Sequence, residues 1–210
     1  MFVKFCGFTN IEDLAAVKEL KSVNAVGYIF YEKSERCISP QKAAELTRFL
    51  KGSGLKTVGI FVDQNVDEIR KIAEIADLDI LQIYRPEYIE ELQKDYEIFA
   101  CMRIQNSDDV KNLPDIGDRC RYLLDARSQK HMGGSGDSFD WDLLDNFPFL
   151  EKAILAGGIS EKNIRRALAI KGLYGIDLSS GIEDSPGKKS KSKMEELDKI
   201  IQEELYGTKS

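Results

Sequence analysis

Cys6 and Asp125 are the two residues of this chain best placed for proton transfer, because each closes a short apolar run. Cys6 follows Phe2-Val3-Lys4-Phe5, and Asp125 follows Tyr122-Leu123-Leu124. A carboxyl partly withdrawn from water can have its pKa tuned for general acid or base work. A thiol can act as a base where a neighbour such as Lys4, or the dipoles of an anion site, favours the thiolate. Both residues also have plainer readings. A buried cysteine is ordinarily an inert small hydrophobe, and an aspartate at such a place can cap a turn or join an ion pair.

Anion binding has its own candidates. Ala156-Gly157-Gly158-Ile159-Ser160 and Leu178-Ser179-Ser180-Gly181-Ile182 each follow an apolar run. Glycines let a backbone approach an anion closely and aim N–H groups at it; they also make ordinary turns. Arg36, two residues after Ser34, offers a planar fork for a carboxylate, or stands solvated at the surface. The run Lys188, Lys189, Lys191 and Lys193 reads as a solvated entrance to the last helix, with one lysine available to neutralise a phosphate.

These residues act together only if the fold gathers them. Short runs rich in β-branched and aromatic residues, at 2–6, 25–30, 57–62, 80–83, 98–102, 122–124, 153–156 and 174–178, alternate with helical patterns. Helices are predicted at 11–20, with Thr9 and Glu12 spaced as a capping box, and from Pro40 to Gly52 behind the cap Ser39. Others follow from Val66 with Asn65 as cap, from near Pro86, at 108–113, at 160–170 and at 193–205. The segment 127–139 is too rich in Gly, Ser and Asp to be regular; it reads as a lid or a plain loop, with His131 solvent-exposed. Near-continuous apolar strands imply a parallel sheet covered by helices. Eight units without an extra-long crossover favour an α/β fold of one domain over 1–210, a closed (β/α)₈ TIM barrel, over an open doubly wound sheet. In such a barrel chemistry collects at the C-terminal strand ends, with phosphate at the loops after strands seven and eight. Cys6, Arg36, Gln82, Asp125, Gly157, Gly158, Asp177, Ser180 and Gly181 all fall at those ends or just beyond them.

Composition narrows the function classes. The 210 residues are 42% hydrophobic and 31% charged with a net charge of −6, which disfavours general nucleic-acid binding. No apolar run reaches the roughly 18 residues of a membrane span, and the stretch 1–7 is too short for a secretory signal. Cys6, Cys37, Cys101 and Cys120 form no C-x-x-C pair, and one histidine leaves a Cys/His metal site almost without ligands. A soluble, cytoplasmic chain with reduced thiols is expected.

In combination the residues resemble the phosphoribosylanthranilate isomerases of tryptophan biosynthesis. Blocks in family order are Lys4-Phe5-Cys6-Gly7, Gly27-Tyr28-Ile29-Phe30 with Ser34 and Arg36, and Val58-Gly59-Ile60-Phe61-Val62. Leu123-Leu124-Asp125-Ala126, Gly133-Gly134-Ser135-Gly136, Phe139-Asp140-Trp141, Leu155-Ala156-Gly157-Gly158 and Asp177-Leu178-Ser179-Ser180-Gly181-Ile182-Glu183 follow. The resemblance implies an Amadori rearrangement of N-(5'-phosphoribosyl)anthranilate, with Asp125 as acid and Cys6 as base. It further implies that Arg36 holds the anthranilate carboxylate, that Gln82 and Asp177 contact substrate, and that Gly157, Gly158, Ser180 and Gly181 bind phosphate. No metal or organic cofactor is implied, and the assembly would be a monomer or homodimer.

Three positions depart from the family pattern. Gln82 is followed by Ile83-Tyr84-Arg85 where a Leu-His-Gly stretch is usual, Ser135 replaces a threonine, and Ser190 stands where an aspartate commonly follows the late lysine. The first bears on how substrate is held, since Cys6 and Asp125 are both kept. It leaves room for an isomerase of another phosphoribosyl amine. A non-catalytic phosphate-binding barrel is the remaining alternative, and the kept acid–base pair speaks against it.

Overall fold

The computed structural model describes residues 1–104, 116–125 and 147–207, together with 109, 113, 141 and 144. Eight parallel strands run in chain order around a closed barrel. They are β1 (Phe2–Cys6), β2 (Ala25–Ile29), β3 (Lys56–Phe61), β4 (Ile80–Ile83), β5 (Glu97–Arg103), β6 (Cys120–Asp125), β7 (Ala153–Ala156) and β8 (Gly175–Leu178). Closure is made by β1 and β8, where Phe2 pairs with Gly175 and Lys4 with Asp177. That pairing rules out the open sheet, which would leave both strands as edges.

The period-2 alternation of a strand divides its side chains between two cores. Val3, Phe5, Tyr28, Leu81, Leu124 and Ile176 point outward and pack beneath the helices. Ala25, Val58, Ile80, Phe99, Leu123 and Ile154 fill the barrel itself. Residues in phase with the inner set reach the barrel mouth at the strand ends, which is where Cys6, Gln82, Asp125 and Asp177 stand. Lys4, one pleat below Cys6, is fully buried inside the barrel.

Helix boundaries follow their caps. Helix α1 (Ile11–Lys18) is capped by Asn10, whose side chain accepts from Asp13 N at 2.8 Å. The Thr9–Glu12 capping box is therefore incorrect: Thr9 donates instead to Gly187 O at 2.7 Å. Helix α2 (Pro40–Leu50) has Ser39 as its cap and Pro40 in its first turn, and stops two residues short of Gly52. Helix α3 (Val66–Ala76) carries a full capping box between Asn65 and Glu68. Behind Pro86 only a 3₁₀ turn (Pro86–Tyr88) and a single helical turn (Ile89–Leu92) form. The 160–170 pattern is helical only over Ile164–Leu168, and the last helix spans Lys191–Tyr206, two residues earlier than expected. The helix expected at 108–113 and the glycine-rich segment 127–139 lie outside the described residues, apart from 109 and 113. A short antiparallel hairpin, β9 (Glu183–Ser185) with β10 (Lys188–Lys189), follows β8 and has no counterpart among the sequence-based expectations.

Candidate active site

At the C-terminal mouth of the barrel lies a cavity of ≈ 220 Å³. Its wall includes Cys6, Arg36, Gln82, Asp125, Gly157, Gly158, Asp177 and Ser180, so eight of the nine expected site residues meet in one place. Gly181 is the exception. A Cβ on Gly181 would stand 2.1 Å from Ile159 O, so this glycine lets the loops after β7 and β8 touch, beside the cavity. Gly157 and Gly158 adopt φ of 90° and 74°, a left-handed region that turns their backbone as L side chains rarely allow. With Ser179 and Ser180 across from them, they give the cavity one wall of backbone and hydroxyl groups.

The site is also charged. Lys4 Nζ donates to Asp177 Oδ2 at 2.7 Å, with both side chains buried. Burial opposes the Lys4 charge, yet Asp177 and Cys6 more than offset it and hold its pKa above the ordinary lysine value. Lys4 is thus a permanent cation beneath Cys6. For Cys6, burial is the largest influence and pushes the thiol pKa up, while Lys4 and Lys189 pull it back. Asp177 Oδ1 and Gln82 Oε1 are buried acceptors with no hydrogen-bond partner among the described residues. Orphaned acceptors on a cavity wall suit hydroxyl donors of a ligand.

Arg36 is half-buried and paired rather than freely solvated. Its Nε and Nη2 bind Glu183 at distances of 2.6–3.1 Å. The lysine run also departs from its expected role: Lys189 is 4% exposed and pairs with Glu183 at 2.6 Å, while Lys188 and Lys191 are exposed. Glu183 and Lys189 were missed because each is an ordinary surface type in a polar stretch. The one available signal was the spacing Glu183-x₅-Lys189, which a hairpin folds together.

The strand-four departure resolves into two different residues. Tyr84 lines the cavity, with Cys101, then burial, then Asp125 holding its phenol far above the usual range. It is a neutral hydrogen-bond donor at physiological pH. Arg85 turns outward, donates to Tyr88 Oη at 3.1 Å, and keeps 44% of its side chain exposed. The added cation therefore does not enter the site. Among the described residues no helix is long and apolar enough to cross a membrane.

A closed (β/α)₈ barrel with a thiol, carboxyls and glycine-rich loops around one mouth cavity is a barrel enzyme for a small anionic substrate. Residues 3–200 match the N-(5'-phosphoribosyl)anthranilate isomerase family, and the chain belongs to that family. An N-(5'-phosphoribosyl)anthranilate isomerase of Geobacter sp. (strain M21) is 34% identical over 195 residues, covering 91% of this chain and 93% of the relative. The phosphoribosyl anthranilate isomerase structure from Thermus thermophilus superposes with a TM-score of 0.82 at 28% identity, over 96% of this chain and 98% of that one. Another isomerase structure, in complex with reduced 1-(o-carboxyphenylamino)-1-deoxyribulose 5-phosphate, has a TM-score of 0.79 at 27% identity, with the same coverage. The activity is that of a phosphoribosylanthranilate isomerase, an intramolecular isomerisation in tryptophan biosynthesis.

Proposed function

We propose that the isomerisation is an Amadori rearrangement carried by Asp125 as general acid and Cys6 as general base. Asp125 gives its proton to the furanose ring oxygen as the C1–O bond breaks, leaving the C1–nitrogen bond as a Schiff base. Cys6 takes the proton from C2; the electron pair moves into C1–C2 and yields an enolamine. Protonation at C1 and loss of the hydroxyl proton at C2 then give the ketone, so substrate and product have the same atoms. The observation that carries this reading is the position of the two groups at the ends of β1 and β6 on one cavity wall.

The rest of the wall fits the substrate's other parts. Arg36 takes the anthranilate carboxylate. Gly157, Gly158 and Ser180 face the phosphate, with Gly181 allowing their two loops to meet. Asp177 Oδ1 and Gln82 Oε1 accept from ribose hydroxyls. No metal or organic cofactor has a step in this scheme. One domain, 1–210, supplies the whole constellation, so the reading serves a monomer or a homodimer. Four free cysteines fit a cytoplasmic enzyme.

The test is consumption of freshly generated N-(5'-phosphoribosyl)anthranilate, followed by the decay of its fluorescence. Asp125→Asn and Cys6→Ser are each expected to lose about 10²-fold or more in kcat with folding intact. Near-full turnover in either variant would remove that residue from its role.

A further inference from the structure

The proton-transfer scheme makes no use of the hairpin after β8, yet its first residue is an acid with only 3% of its side chain exposed. Glu183 accepts from Arg36 Nε at 2.9 and 3.1 Å and from Arg36 Nη2 at 2.6 Å. Lys189, its partner across the hairpin, donates to Glu183 Oε1 at 2.6 Å. The same ammonium donates to the carbonyl oxygen of Cys6 at 2.5 Å. Gly187 N adds a bond to Glu183 Oε1 at 3.2 Å. A carboxylate this buried stays charged only where cations and donors replace its water. Burial pushes the Glu183 pKa up, and the bonds to Arg36 and Lys189 reverse that, leaving it below the ordinary glutamate value.

The pairing has a geometric consequence. A guanidinium carries five N–H donors in one plane. Glu183 occupies the edge made by Nε and one side of Nη2. The remaining edge, Nη1 with the second Nη2 hydrogen, has the right spacing for another carboxylate. Arg36 lies on the cavity wall and Glu183 does not. An unpaired arginine in this loop would be free to sample several rotamers, whereas the bonds to Glu183 hold the guanidinium in one. Two cations against one anion also leave the Arg36–Glu183–Lys189 cluster with one net positive charge, which suits an anionic ligand.

We propose that Glu183 is a positioning residue of the substrate site, holding the Arg36 guanidinium so that its free edge meets the carboxylate on the substrate's aromatic ring. The proposal rests on the assignment of that carboxylate to Arg36 made above. Lys189 is the second cation of the device: it keeps Glu183 ionised and ties the pair to the end of β1.

Steady-state kinetics with N-(5'-phosphoribosyl)anthranilate on the wild type, E183Q, E183D, R36M and the R36M/E183Q double variant test it. E183Q is expected to raise KM about tenfold while changing kcat far less, the pattern of lost substrate binding. E183D, which keeps the charge but draws the guanidinium back by one methylene, is expected to give an intermediate KM. Adding E183Q to R36M is expected to raise KM no further, because Glu183 acts through Arg36. A wild-type KM in folded E183Q, with R36M impaired, overturns the role of Glu183 alone; additive increases in the double variant do the same. A wild-type KM in R36M overturns the Arg36 assignment underneath it. Should E183Q not fold, E183D decides, and a wild-type KM in that variant overturns the proposal.

Discussion

In the proposed role, Cys6 must lose its own proton before it can take one from C2, and its surroundings pull in opposite directions. Burial and Asp177 favour the thiol; Lys4 on the same strand and Lys189 from the hairpin favour the thiolate. The net result is a pKa above the ordinary thiol value of 9.0. The working form is the deprotonated one, so its population falls as pH falls below that pKa. Alkylation of Cys6 in the ligand-free enzyme, mapped by mass spectrometry across pH, is expected to show a midpoint above 9.0. A midpoint near neutrality would mean that the two lysines outweigh burial. Tyr84 raises a related point. Its phenol stays protonated beside Asp125, so it donates a hydrogen bond where a family histidine could also take a proton.

At the scale of elements, the wall proposed to hold phosphate depends on how closely two loops approach. The loops after β7 and β8 meet at Gly181, where a methyl group would lie 2.1 Å from Ile159 O. The obstacle is backbone, which cannot swing aside as a side-chain tip can. Gly181→Ala is therefore expected to part the loops and raise KM for the phosphorylated substrate about tenfold or more, as small misplacements at a binding site do. Inorganic phosphate as a competitive inhibitor should weaken in parallel. An unchanged inhibition constant would show that the two loops do not hold the phosphate together. The hairpin β9–β10 works on the same scale. Thr9 holds Gly187 O, and Asp13 accepts from Lys189 N at 2.9 Å, so the start of α1 clamps the strap that carries Lys189.

At the scale of the whole molecule, the barrel carries an ion pair in its interior where most of its inner core is apolar. Lys4 and Asp177 join the two strands that close the barrel. Removing one partner strands the other charge out of water, so Lys4→Met is expected to cost about 3–5 kcal/mol of stability. Denaturant unfolding would measure it. The double variant Lys4→Met with Asp177→Leu is expected to recover much of that stability, because apolar replacements of a buried pair are often neutral. Activity should stay lost, since both the cation beneath Cys6 and the acceptor on the cavity wall would be gone. A double variant no more stable than Lys4→Met would show that the pair is needed for closure itself.

The repeat of apolar runs and helical patterns was enough to determine eight parallel strands alternating with helices, because strand alternation and helix capping are local and each run carries its own signal. The pairing of β1 with β8 decided for the closed barrel over an open sheet. Position at a strand end then placed Cys6, Gln82, Asp125 and Asp177 at the mouth, since the barrel sends every such end to one face. Local patterns misled where two caps competed, as at Thr9 and Asn10, where a helix ran shorter or longer than its pattern, and at the hairpin β9–β10, whose short polar strands carry no apolar run. Pairings across many residues were decided by the tertiary structure alone. Arg36 meets Glu183 147 positions later, and Lys4 meets Asp177 173 positions later. No sequence period links such residues; barrel closure and the hairpin bring them within hydrogen-bond reach. That is why Arg36 looked like a solvated surface residue or a lone clamp, and why Lys189 looked like solvent-facing charge. Both pair with the buried Glu183 in one cluster beside Cys6.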